Sequence, residues 1–244
     1  MCLSLPVVGQ NPASDSETRA RELLEAATQA LGGEKYLSVK SVITRGLYSR
    51  FDERGGLQAF VPFIDYIVYP DRERTEYGKG KDRFIQTNVG SRGWIYDGES
   101  RNLRDQKEEE IAQFLRGLRR NIDTIMRGSW RTPGTKLRYL GDQELWFRQR
   151  GVGVEITFFL EDGTREQVAV YFDPQTRLPV KVAYGQEEDR FYLFQDFDGI
   201  KAPLRIDHFK GDTHVARISI ESIQFNAAID PKLFDKPISP DRIK

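Results

Sequence analysis

The chain carries two histidines, and they flank one turn. His208 and His214 stand on either side of Gly211-Asp212, with Asp207 beside the first. In a hairpin such residues face each other across the strands, and two imidazoles with a carboxylate begin a metal set. The spacing fits no metal template, and histidines at surface hairpins are common. A hydrolase would have to be built on the same pair, and nothing in the sequence puts a base beside a nucleophile. There is no serine nucleophile elbow, no HExxH and no Walker loop. "GVGVEI", residues 151–156, lacks a third glycine and a following helix, so it reads as the entry to a strand. Glu108, Glu109 and Glu110 are adjacent acids, and the start of a helix accounts for them through its dipole. This inventory argues against an enzyme and gives no reason to expect a metal or cofactor.

Composition narrows the class further. A chain of 244 residues holds one or two domains. With 39% hydrophobic residues, among them 15 Phe, 10 Tyr and 3 Trp, it can build a real core. The 30% charged residues argue against disorder. The 37 basic and 37 acidic side chains balance, so no global field draws the chain to nucleic acid. No apolar run reaches the roughly 18 residues of a membrane-spanning helix. The single cysteine, Cys2, permits no intrachain disulfide. Residues 1–13, including "LSLPVVGQ", read equally well as the remnant of a secretory signal or as a disordered leader. A single domain then runs over 14–244.

The elements follow from periodicity. Ser14 and Glu17 have capping-box spacing. Ala20, Leu23, Leu24, Ala27 and Leu31 fall on one helical stripe, which Gly32-Gly33 ends. From Lys40 the period changes to two, with Gly46 at a bulge. The charged stretch 69–83 reads as a mobile hairpin. A long helix runs from an N-cap at Asp105 to Gly128. Ile111, Phe114, Leu115, Leu118, Ile122, Ile125 and Met126 lie on one side of it. After Pro133, seven strand-like runs are joined by turn-rich joints such as "EDGT" and "KGDT". The fold class is therefore α+β: a large, curved antiparallel sheet with an N-terminal helix and a long central helix covering it.

"TFFL" (157–160), "RFYLF" (190–194) and "AFVPFI" (59–64) are large and apolar on both phases of a strand. A strand apolar on both faces is covered on both sides. One cover is the core under the helix. The other is either a filled core or a cavity for an apolar ligand on the concave side.

The order of elements resembles the LolA/LolB-like family of periplasmic lipoprotein carriers. "ELLEAATQALGGEKYLSVKSVITRG" is similar to that family's first helix, glycine pair and first strand. "GWIYDG" with the helix after it resembles the middle of the fold. "YFDPQTRLPVKVAY", "FDGIKAPLRI" and "SIQFNAAIDPKLFDKP" resemble its last strands and final turn. The resemblance spans roughly residues 20–237 and rests on spacing and turn residues. It implies a half-open barrel whose concave interior takes up lipid or lipoprotein acyl chains in the periplasm, without covalent chemistry and with envelope proteins as further partners. On that basis Phe84, Trp94, Tyr96, Phe158, Leu160, Phe191 and Leu193 are the expected cavity walls, by strand position and size. Phe114 and Leu118 are expected to cover the opening. The alternative is a surface-contact or scaffold module with a filled core, with 69–83 as its contact site. In "FNAAIDPKLFDKP", residues 225–237, Pro231 is expected to open one helical turn that points Leu233 and Phe234 back at the sheet.

Overall fold

The computed structural model describes residues 12–160 and 163–243. The leader expectation falls almost wholly outside them. Four α-helices are described: α1 (Pro12–Leu31), α2 (Gly33–Leu37), α3 (Glu108–Arg120) and α4 (Ile122–Met126). Thirteen described strands form one sheet. They are β1 (Ser41–Phe51), β2 (Leu57–Val68), β3 (Arg72–Tyr77), β4 (Phe84–Val89), β5 (Arg92–Asp97) and β6 (Asn102–Asp105), then β7 (Lys136–Trp146), β8 (Gln149–Phe159), β9 (Arg165–Phe172), β10 (Pro179–Tyr184), β11 (Glu187–Phe197), β12 (Ile200–Lys210) and β13 (Thr213–Phe225).

Every pairing is antiparallel. The spatial order is β6-β5-β4-β3-β2-β1-β13-β12-β11-β10-β9-β8-β7, so two meanders are joined where β1 pairs with β13. The sheet does not close, because β6 and β7 are free edges. They are also consecutive in sequence, so the chain between them must cross from one edge to the other. It crosses as α3 and α4, and this topology alone puts those helices over the opening.

The stripe on α1 does what its spacing predicts: Ala20, Leu24 and Ala27 are fully buried. They share one core with Val154, Ile156, Val168, Val170 and Val182 from the concave face of β8–β10. The helix begins at Pro12 rather than at a Ser14 cap. A proline suits the first turn, and Ser14 lies inside the helix, where its carbonyl accepts from Thr18 Oγ1. Gly46 does sit at a bulge. The β1–β13 register shifts between Arg45 and Gly46, and a Cβ there would lie 2.0 Å from the Ser219 carbonyl oxygen.

Two further expectations change. Residues 69–83 are not a mobile protrusion: they hold β3 and a 3-10 turn, Gly80–Asp82. Their charges pair with each other, Arg74 and Arg83 both bonding Glu76. The central helix is also broken at Asn121, whose side chain accepts from Asp123 N (2.8 Å) and Thr124 N (3.3 Å) and so caps α4. The break splits the apolar stripe. Ile125 and Met126 on α4 are fully buried, while no residue of α3 is.

Candidate functional site

The concave face has three zones. Under α1 it is packed core. Under α3 it is loosely covered. Between them, over β1–β3 and β11–β13, it is hollow. An apolar cavity of about 170 Å³ is walled by Leu31, Val42, Phe191, Phe194, Ile223 and Phe225, with Tyr36, Tyr69 and Asp123 at its polar end. A second cavity of about 270 Å³ adjoins it, lined by Tyr48, Phe63, Asp65, Glu73, Thr75, Tyr77 and Ile218. The two share Thr44, Ile67, Asn121, Ile206 and Ile220 as walls. A third, of about 50 Å³, lies beneath Phe114 and Leu118 and also touches Asn121. Asn121 thus stands where all three meet.

The break in the crossing helix is pinned at this point. The hydroxyls of Tyr36 and Tyr69 both donate to the Asp123 carboxylate. Arg127 Nε donates to Asp123 Oδ2 at 3.0 Å, and its guanidinium lies over both phenol rings. Burial and the Asp123 charge push both tyrosines far above their ordinary pKa, so they remain donors. The larger cavity has a different character. Thr75 Oγ1 donates to Asp65 Oδ1 at 2.9 Å. Burial, together with the Glu73 charge, raises Asp65 well above the usual carboxylate range, and burial raises Glu73.

α3 is strapped at both ends. At its start, Arg104 on β6 makes two 2.7 Å bonds to Glu110, which also accepts from Lys107 N. At its end, Arg119 and Arg120 both bond Glu166 on β9, at 2.7 and 2.5 Å. Burial opposes ionisation of Glu166, but the two guanidinium bonds hold it below its ordinary value. Glu166→Gln should weaken this end by about 1–2 kcal/mol. The expected result is roughly tenfold faster amide exchange across 108–120, with β8–β10 unchanged. Unchanged α3 exchange would show that the strap carries no load.

Register and exposure place the expected wall residues. Phe191 lines the apolar cavity, and Phe114 and Leu118 line the small one. Phe84 pairs with the cavity residue Tyr77, so it is on the concave face, at an open part of it. Phe158 is in the packed core, and Leu160 packs against that core. Trp94 and Tyr96 point the other way: Arg74 pairs with Thr87 and Thr87 with Trp94, on the face opposite Thr75 and Tyr77. Leu193 is 65% exposed. Its φ of +58° interrupts the alternation, and it has no partner in a β11–β12 ladder that resumes at Phe194. Phe194, out of phase with Phe191, therefore lines the cavity. Tyr36, Tyr69, Asn121 and Asp123 were not expected at the site. The capping preference of Asn121 was their one sequence signal.

The histidines part company. His208 Nδ1 lies 2.8 Å from Asp189 Oδ1. His214 stacks against Phe51 and Phe209 and faces Asp207. The β12–β13 register shift between His208 and Phe209 separates them. The Asp189 hydrogen bond raises the His208 pKa above 6.5, with burial opposing. Stability from a raised histidine is complete below about pH 6.5 and is lost as pH rises through the higher native value. His208→Gln should therefore cost more stability near pH 5.5 than near pH 9, measured by urea melts. An equal cost at both would refute the pairing.

No family model matches the sequence, and no curated protein is similar to it. Solved structures are. A DUF1329 family protein from Desulfovibrio piger superposes with a TM-score of 0.61 at 12% identity, over 88% of this chain and 97% of that one. A LolA superfamily protein from Nitrosomonas europaea gives 0.60 at 12%, over 89% and 97%. This chain has the LolA-like fold. A putative outer membrane lipoprotein-sorting protein domain from Vibrio parahaemolyticus gives 0.59 at 10%, over 90% and 97%. In this chain the sheet of that fold is unclosed, with α1 packed on its concave core and α3 and α4 crossing its opening. No described helix is long and apolar enough to cross a membrane.

Proposed function

We propose that residues 14–244 act as one carrier domain that holds lipid or lipoprotein acyl chains in the bacterial periplasm, without covalent chemistry. The observation that carries this reading is the apolar hollow between the concave face and the crossing helices. A well-packed core leaves few voids larger than a water molecule, and an apolar cavity of about 150 Å³ is enough to take benzene. Here about 170 Å³ adjoins about 270 Å³. Together they suit a short apolar segment as they stand, and a longer one if α3 shifts. The likeness to proteins described as LolA superfamily and as lipoprotein-sorting supports the same reading. The scaffold reading requires a filled core, and the two adjoining cavities count against that.

Native mass spectrometry of protein purified without detergent tests the proposal. The expected result is a bound mass that organic extraction removes. The extracted protein should then take up N-phenyl-1-naphthylamine with a rise in fluorescence. A ligand-free spectrum together with no dye uptake would overturn it.

A further inference from the structure

The charge inside the hollow points to the kind of amphiphile it selects. The apolar cavity is the site, and the larger cavity beside it holds two acids, Asp65 on β2 and Glu73 on β3. Register pairs Asp65 with Thr75 and Ile67 with Glu73, so the two carboxyls are diagonal neighbours on the concave face. Among the described residues neither has an ion pair. Thr75 gives Asp65 one hydrogen bond. Among the described residues no lysine, arginine or histidine lines this cavity.

Of the cations nearby, Arg72 lines the small cavity with Glu73 but is exposed. Arg127 is bound to Asp123. Lys201 lines the apolar cavity but is exposed. Two half-buried acids beside isoleucine and phenylalanine without a counter-charge cost folding free energy. A cationic ligand repays that cost. A carboxylate ligand brings further negative charge to the pair and increases it.

We propose that the hollow selects an apolar chain ending in an ammonium group, with the chain against Ile206, Ile220 and Phe225 and the ammonium between Asp65 and Glu73. This rests on the carrier reading and narrows it. An alkyl chain with a neutral hydroxyl is tolerated, and one with a carboxylate is disfavoured.

Displacement of N-phenyl-1-naphthylamine at neutral pH by dodecylamine, dodecanol and dodecanoate tests it. Dodecylamine is expected to bind at least about tenfold more tightly than dodecanoate, the equivalent of one ordinary ion pair in a partly buried site. In Asp65→Asn/Glu73→Gln that ratio is expected to fall to within about threefold. A melting temperature at or above that of the native chain would report that the variant folds. If dodecanoate binds the native chain as well as dodecylamine does, the proposal is overturned. It is also overturned if the folded variant keeps the full ratio. Should the variant fail to fold, the ranking on the native chain decides alone. If dodecanol binds but the amine has no advantage, the carrier reading stands and only the charge preference fails. If none of the three displaces the dye, both fail.

Discussion

Ile220→Trp should abolish uptake of an apolar dye while leaving the protein folded. Ile220 stands on β13 as a wall shared by the cavities of about 170 and 270 Å³. It is only half-buried, so the larger side chain has empty space to enter. Adding bulk to a packed core costs about 1–3 kcal/mol, because neighbours must leave their rotamers. Here the indole fills space that is already unoccupied, and the expected change in stability is below about 1 kcal/mol. Binding should weaken by at least roughly a hundredfold, since the ring takes the volume that a ligand needs. Val170→Trp is the contrast. Val170 is fully buried beneath α1, and there the same bulk should destabilise the fold. Titration with the dye and a thermal melt read both effects. Unchanged dye affinity in a folded Ile220→Trp protein would show that the ligand sits elsewhere.

Phe234→Ala should cost the fold about 3–5 kcal/mol, the range for truncating a buried phenylalanine. Asp230 caps the turn by accepting from Lys232 N, and Pro231 opens the 3-10 helix Pro231–Phe234. Phe234 is 4% exposed. Its carbonyl accepts from Trp94 Nε1 at 3.0 Å, and the Leu233 carbonyl accepts from Arg74 Nη1 at 2.9 Å. Arg74 lies over the Trp94 ring and bonds Glu76. The latch therefore clamps the convex side of β3–β5, away from the hollow. For a chain of this size the loss corresponds to a fall in melting temperature of about 6–20 °C. Because the site is remote, affinity measured well below the melt should be unchanged. Arg74→Met shares the same carbonyl network, so the double variant should lose less than the sum of the two singles. A small, additive loss would mean that the tail rests on the sheet without holding it.

The segment 225–237 shows how far sequence reasoning carries. Proline at the start of a turn and phenylalanine at its end were enough to expect a turn that packs back on the sheet, and Phe234 does so. Which side of the sheet it covers was not legible. A period of two divides a strand into two faces and labels neither. Trp94 and Tyr96 illustrate the same limit: they are large and in phase with each other, and they lie on the convex side, Trp94 under the latch. Leu193 marks a second limit. Alternation puts it beside Phe191, but one left-handed residue turns it outward and brings Phe194 to the wall instead.

Residue order by itself determined the α1 stripe and the glycine pair that ends it. It determined the bulge at Gly46, the antiparallel meanders and the absence of any recognised catalytic motif. These follow from short-range sterics and from the period of apolar residues, which operate within a few positions of each other. Only the tertiary structure decided which face is concave, that α3 and α4 must cross the mouth, and where the hollow lies. Sheet curvature sums small twists over thirteen strands. The hollow is the space that α1 on one side and α3 on the other leave unfilled. Asp65 and Glu73 become neighbours only through the β2–β3 register, and Asp123 meets Tyr36 and Tyr69 only because the helix breaks at Asn121 above them.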